Sequence, residues 1–153
     1  MAPRPGIPTA MIVLAVVRRG DRFLVVQEVI PGNPWYLPAG RAELGESLVA
    51  AVQREVWEEA GLQVTVDGIL RIEHTPTADG ARLRVFVLAH ADDQRPPKTT
   101  PDGHTLQAKW ATLAEIAALP LRHAEVVDAC RHVLNGGAVH PLSVWLRGGT
   151  PWA

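Results

Sequence analysis

The chain has 153 residues, a formal net charge of −1 and 47% hydrophobic residues, so we expect one domain that buries about two-thirds of its unfolded surface. The charge excludes the broad basic field that binding to a polymeric nucleic acid requires. No apolar run approaches the ~20 residues of a membrane span, the start lacks the order of a signal peptide, and the one cysteine, Cys130, suits a reducing compartment. We therefore expect a cytoplasmic protein that does not act at a membrane.

The N-terminal third of the chain predicts an arm followed by strands. Residues 1–8 are rich in proline, and we expect a flexible arm ahead of a single domain at 9–153. The nearly continuous apolar run over 11–19 predicts a strand buried on both faces. Further strands are predicted over 22–30 and, after a Pro- and Gly-containing loop, over 35–37.

Trp35 stands in the last of these short strands, directly before the helical region. An aromatic ring in this place either stacks on a base or sugar at the mouth of a site, or it packs in the core. The sequence leaves both interpretations open.

A helix is predicted from Leu48 to Ala60, with Ser47 as N-cap and Gly61 at the left-handed position that ends it. At ~100° per residue, three glutamates fall in one arc beside the apolar stripe, and they lie near the negative end of the helix dipole. Such carboxylates repel one another unless a hard divalent cation binds them or solvent screens them. These glutamates are Glu55, Glu58 and Glu59.

Two strands with a hairpin connection are predicted over 64–75, interrupted at Gly68, and over 81–91. On the second strand Arg84 shares a face with the apolar Phe86 and Leu88. The guanidinium of Arg84 is therefore a candidate ligand for a phosphate, and charge facing solvent is the alternative.

The C-terminal part begins with a polar segment, Asp92 to His104, which either closes over a ligand or simply connects two elements. The tail after the last helix packs on the body of the domain or on a second subunit, which leaves a homodimer open. The elements predicted between these segments are a strand over 105–112, a short helix to about residue 119 that opens with a capping box at Thr112 and Glu115, and a last helix over 123–134.

The loop and helix together carry a spaced motif that begins at Gly40. Five residues separate Gly40 from Glu46, and seven more precede the run Arg54, Glu55, Val56, any residue, Glu58, Glu59, any residue, Gly61 and Leu62. The motif resembles the Nudix box at every defined position, and the chain is similar to Nudix (MutT-like) hydrolases over nearly its whole length.

The order of strands and helices fits an α+β architecture, and the resemblance implies the same: an αβα sandwich with a mixed central sheet and the box helix packed on it. It also implies hydrolysis of a nucleoside diphosphate linked to another moiety, with Mg²⁺ as the cofactor or Mn²⁺ in its place. The metal ligands implied are Glu55, Glu58, Glu59 and the carbonyl of Gly40. Glu46 and Arg54 would support them, and the general base would be Glu58 or another glutamate of this cluster.

One position departs from the family pattern. Many members carry an acidic residue about six positions before the tryptophan that follows the polar loop, and here that tryptophan is Trp110 and the position is His104. His104 either binds the metal, acts as a base or caps a strand end, and Asp102 is a substitute carboxylate.

The substrate follows less directly from the sequence. The run from Val25 to Ser47 resembles the branch that cleaves oxidised guanine nucleotides, so a small-molecule nucleoside di- or triphosphate is the leading expectation. ADP-ribose or another sugar nucleotide is the second. A Nudix-fold regulator that binds its ligand without catalysis is the third.

Overall fold

The computed structural model describes all residues, 1–153, and contains seven strands and three helices followed by a single 3₁₀ turn. The elements are β1 Thr9–Arg19, β2 Arg22–Glu28, β3 Trp35–Tyr36, β4 Ala39–Arg41, α1 Leu48–Ala60, β5 Val64–Pro76, β6 Ala81–Ala91, β7 Thr105–Thr112, α2 Leu113–Ala117, α3 Glu125–Leu134 and the 3₁₀ turn Leu142–Val144.

The sheet is mixed and is organised around β1. This strand pairs in parallel with β6 and antiparallel with β2 and β4, so it contacts three neighbours along its length. β5 pairs antiparallel with β6, and β3 and β7 both pair antiparallel with β2. The predicted mixed central sheet is therefore confirmed.

Helices cover both faces of this sheet. Along β1, Val13, Ala15 and Val17 point into the core cluster that α1 closes, whereas Leu14 and Val16 point into the cluster that α2 and α3 close. This alternation explains why the sequence of β1 is apolar at successive positions: both of its faces are buried. The αβα sandwich predicted for the chain is confirmed.

The bounds of α1 agree with those predicted because both ends are set by local chemistry. Ser47 Oγ accepts a hydrogen bond from Ala50 N at 3.1 Å, and Gly61 adopts the left-handed conformation with φ of 68°. The second strand ends at Glu28 rather than at residue 30, since Val29 is 48% and Ile30 41% exposed and both lie beyond the pairing with β7.

The two ends of the chain differ in how they contact the body. Residues 1–8 are exposed and have no regular secondary structure, although Pro8 O accepts a hydrogen bond from Ala81 N at 2.9 Å. In the tail, Leu142 and Trp145 pack against the cluster beneath α1, while Trp152 is fully exposed. None of the helices has the length and apolar character needed to cross a membrane.

Candidate active site

The guanidinium of Arg54 lies at the centre of the carboxylates on α1. It donates to Glu46 Oε1 at 2.7 Å, to Glu55 Oε1 at 2.8 Å and to Glu58 Oε2 at 3.3 Å. A further bond to the carbonyl of Arg41, at 2.9 Å, ties the same side chain to the end of β4. Arg54 thus holds the loop before α1 and the acidic face of α1 in one arrangement.

Glycine at position 40 lets β4 lie directly against this face. A Cβ added to Gly40 would lie 2.0 Å from Glu55 Oε1, so only glycine leaves room for that carboxylate. The neighbouring Ala39 N donates to Glu59 Oε2 at 3.1 Å. The β4 backbone therefore packs against Glu55 and Glu59 and positions both carboxylates.

Burial shifts the acidity of two of these glutamates. Desolvation raises the pKa of Glu55, although its bond to Arg54 opposes the shift. Burial raises the pKa of Glu59 to about 8, and the charges of Glu55 and Glu28 act in the same direction. By contrast, the hydrogen bond from Arg54 lowers the pKa of Glu46. The negative charge at Glu55 and Glu59 is therefore not fully compensated by the protein.

These donors suit a hard divalent cation in their chemistry: carboxylate oxygens, a backbone carbonyl at Gly40 and a cradle that a Cβ would fill. No three His, Cys, Asp or Glu side chains, however, surround a common point in an arrangement suited to a metal ion. Arg54 instead donates to Glu55 and Glu58, and Glu59 accepts from the β4 backbone. The ligand set predicted from the box therefore stays a prediction.

A cavity of about 670 Å³ opens beside Gly40, and all three residues of β4 line it. Its charged wall is predominantly basic. The charged residues that line it are Arg41, Arg82, Arg84, Arg122, Glu28 and Glu125.

Two of these arginines are neutralised and two are not. Arg84 donates to Glu73 at 3.0 Å and also to Glu125 and to Tyr36 Oη, so its guanidinium is held inside a network on the wall. Arg122 is paired with Glu28 at 2.8 Å. Arg41 and Arg82 are exposed and their side chains form no ion pair or hydrogen bond. The predicted phosphate ligand, Arg84, does line the cavity, but it is already bonded to two carboxylates.

Trp35 lies in the core and not at the mouth of the cavity. It is 5% exposed, packs in the cluster beneath α2 and α3, and has Lys109 Nζ 4.5 Å from its ring centroid. Its burial follows from the pairing of β3 with β2, which turns the ring inward. The interpretation of Trp35 as a residue that stacks on substrate is therefore wrong for this structure, and the core alternative holds.

His104 and Asp102 stand at different distances from the acidic face. His104 Nδ1 is 3.7 Å from Glu58 Oε2, and the ring is 52% exposed. Asp102 instead accepts from Lys98 Nζ at 2.7 Å and from the backbone N–H groups of His104 and Thr105. The carboxylate of Asp102 therefore organises the loop before β7, whereas His104 borders the site.

Three residues on the cavity wall could not be identified from the sequence alone. Glu28 ends β2, Glu125 begins α3 and Arg122 lies in the segment before α3, and no spacing links Glu28 to the other two in the chain. Glu28 is the last residue of β2 and follows Gln27 where the strand leaves the core, which is the only local signal it carries. Their proximity is a product of the sheet topology.

The fold and the site together define a class of enzyme: an αβα sandwich with an acidic helix beside a basic cavity is suited to hydrolysing a phosphoanhydride. Comparisons with known proteins agree. The model of the NUDIX domain matches residues 8–130. The phosphatase NudJ of Escherichia coli K12 is 32% identical over 134 residues, covering 86% of this chain and 87% of that protein.

Solved structures give the same result. A NUDIX hydrolase from Nitrosomonas europaea has a TM-score of 0.76 at 27% identity, covering 94% of this chain and 100% of its own. An ADP-ribose pyrophosphatase from Streptococcus suis has a TM-score of 0.65 at 25% identity, covering 82% and 91%. The chain belongs to the Nudix hydrolase family. It is an enzyme that acts on small-molecule nucleoside diphosphate derivatives, and members of the family generally use a divalent metal ion.

Proposed function

We propose that the protein is a Mg²⁺-dependent pyrophosphohydrolase that cleaves a nucleoside di- or triphosphate by attack of water, with Mn²⁺ as a substitute ion. One observation carries this proposal: the acidic face of α1 and the arginine-lined cavity meet at the three residues of β4. A substrate that spans β4 would place its phosphoanhydride against the carboxylates and the rest of its length in the cavity.

The residues divide into those that hold the ion and those that position them. Glu55, Glu58, Glu59 and the carbonyl of Gly40 would hold the divalent ion, which when bound supplies positive charge to the phosphate oxygens and acidifies water. Arg54 and Glu46 position the set, because their 2.7 Å bond fixes the guanidinium between the carboxylates.

The general base requires a carboxylate that water can reach. The side chain of Glu58 is 30% exposed, compared with 11% for Glu55. We therefore assign to Glu58 the role of the base that accepts the proton of the attacking water. His104 Nδ1, 3.7 Å from the same carboxylate, is placed to share that proton. The leaving phosphate then departs towards the cavity, where Arg41 and Arg82 have no other partner.

The substrate class follows from charge. A nucleoside di- or triphosphate carries several negative charges, and the two unpaired guanidiniums on the wall suit phosphate oxygens better than a neutral sugar. An oxidised guanine nucleotide remains the leading member of this class on the sequence resemblance. ADP-ribose is the second candidate, favoured by the likeness to the Streptococcus suis ADP-ribose pyrophosphatase.

A substrate screen with matched variants tests the proposal. Purified protein with Mg²⁺ is assayed against nucleoside di- and triphosphates, their oxidised forms, ADP-ribose and dinucleotides, and the products are resolved by chromatography. We expect turnover of one class that EDTA removes. Glu55→Gln and Glu59→Gln should lower kcat by about 100-fold or more, with the fold unchanged by circular dichroism.

Asp128→Asn, on the exposed surface of α3, serves as the control and should retain the wild-type rate. Wild-type rates in both glutamine variants would contradict the assignment of the acidic face. Failure to hydrolyse any of the compounds, with tight binding of one, would favour a ligand-binding role over catalysis.

A further inference from the structure

Glu28, the last residue of β2, has a buried carboxylate oxygen without a partner. Its Oε1 accepts a hydrogen bond from Arg122 Nη1 at 2.8 Å, whereas its Oε2 is buried and has no hydrogen-bond partner. The side chain as a whole is only 19% exposed. Leaving a charged oxygen buried and unpaired costs more than an ordinary lost hydrogen bond, so this atom indicates a ligand of positive charge.

The strand register brings Glu28 next to the C-terminal half of α1. Glu28 is the pairing partner of Thr105 on β7, and a β-bulge between Gln27 and Glu28 re-aims the side chain at this point. Thr105 Oγ1 in turn donates to the carbonyl of Glu59 at 2.6 Å. Glu28 and Ala39 also line the same cavity, and Ala39 N is the donor to Glu59 Oε2.

No basic side chain of the chain binds the free oxygen. Arg122 is bonded to the other oxygen of Glu28. Lys98, whose positive charge acts on Glu59, donates its Nζ to the carbonyl of Glu58 and to Asp102. No basic side chain of the protein therefore supplies the positive charge that Glu28 Oε2 lacks.

We propose that Glu28 is the carboxylate outside the box that completes the divalent cation site, contributing its free Oε2 beside Glu59. This role of Glu28 rests on one part of the proposed function, the binding of a divalent ion to the acidic face of α1. Glu28 would then act as the acidic residue outside the box, in place of His104 or Asp102. Asp102 is already saturated by Lys98 and two backbone N–H groups, and His104 borders Glu58 rather than Glu59.

Calorimetric titration of the full chain with Mn²⁺, without any nucleotide, tests this role independently of activity. We expect Glu28→Gln to weaken Mn²⁺ binding by about 10- to 100-fold, the range found when a group supporting a metal site is removed. Arg122→Gln should leave the affinity unchanged or tighten it, because the guanidinium competes with the ion for Glu28. Glu73→Gln removes another partly buried carboxylate, which is paired with Arg84, and should leave Mn²⁺ binding unchanged.

Unchanged Mn²⁺ affinity in a cooperatively folded Glu28→Gln variant would overturn the proposal. If that variant is also more heat-stable than the wild type without metal, Glu28 and Glu59 share a proton and do not share an ion. Should Glu28→Gln fail to fold, Glu28→Asp keeps the charge on a shorter side chain. We expect it to bind Mn²⁺ more weakly than the wild type, and wild-type affinity in it would count against the proposal.

The two proposals fail separately. A wild-type protein that binds Mn²⁺ but hydrolyses no nucleotide overturns the proposed function and leaves the role of Glu28 standing. An active wild type whose Glu28→Gln variant binds Mn²⁺ normally overturns the role of Glu28 alone. Wild-type protein that does not bind Mn²⁺ overturns both.

Discussion

Glu59 is the residue whose protonation should link the stability of the metal-free protein to pH. Burial raises its pKa from the ordinary value of 4.5 to about 8, so the folded state favours the protonated form. The resulting stabilisation is complete below about pH 4.5 and is lost as the pH rises through about 8. In EDTA, the Tm of the wild type should therefore decrease as the pH is raised from about 4.5 to about 8.

Glu59→Gln removes the titrating group and keeps the shape of the side chain. We expect its Tm, measured in the same buffers, to change less with pH than that of the wild type and to exceed it above about pH 8. Asp21→Asn, at an exposed position in the turn between β1 and β2, is the control and should follow the wild-type curve. Parallel curves for the wild type and Glu59→Gln would mean that Glu59 is ionised in the fold across this range.

At the scale of elements, the contact between β4 and α1 depends on Gly40. A Cβ there would lie 2.0 Å from Glu55 Oε1, the end of a flexible side chain. Gly40→Ala should therefore displace the Glu55 carboxylate at a small cost in stability, so kcat should fall by about 10-fold or more while Tm changes little. Turnover in the screen and differential scanning fluorimetry provide the two measurements.

Gly68 provides a matched comparison far from the acidic face. A Cβ at Gly68 would lie 2.7 Å from the carbonyl oxygen of His140, which is backbone and cannot rotate away. Gly68→Ala should lower the Tm while leaving the rate per folded molecule unchanged. Wild-type turnover in Gly40→Ala would contradict the prediction, because the Glu55 carboxylate could then be displaced without loss of activity.

Elements were predictable from sequence where their ends are set locally. Ser47, Gly61 and the Thr112 capping box are short-range signals, and each lies where the sequence predicted it. The end of β2 was not predictable, because Val29 and Ile30 continue the apolar pattern and only the length of β7 shows that pairing has stopped. Trp35 was ambiguous for the same reason: its inward orientation is fixed by pairing with β2.

For the candidate site, the sequence predicted the residues of the acidic face but not the cavity beside it. A spaced motif on one loop and one helix identifies Gly40, Glu46 and the glutamates of α1. The cavity wall is assembled from β2, β6 and the segment before α3, and no local signal connects these parts. The i,i+4 spacing of Arg54 and Glu58 on α1 allows their pairing, whereas the bond from Arg54 to Glu55 depends on side-chain rotamers.

At the scale of the whole molecule, a net charge of −1 conceals a separation of charge. Carboxylates concentrate on the face of α1 that β4 contacts, and the cavity that adjoins β4 contains two arginines without a partner, Arg41 and Arg82. A polyanionic substrate would experience both fields, attracted by the cavity and repelled by the acidic face until a cation binds there. Because the cavity is open, salt should screen its attraction, with a Debye length of about 10 Å at about 0.1 M ionic strength.

Arg82, which lines this cavity and has no partner in the protein, provides the test of that field. We expect Arg82→Gln to raise KM about fivefold for the best nucleotide of the screen with kcat nearly unchanged, equivalent to about 1 kcal/mol for an exposed charge pair. The increase in KM with added NaCl should also be shallower in this variant than in the wild type. Arg131→Gln on α3, whose side chain pairs with Asp128 away from the cavity, should match the wild type in both measurements. Identical KM values and identical salt dependence for wild type and Arg82→Gln would place the phosphates of the substrate elsewhere, because a charge that touches them cannot be removed without weakening their binding.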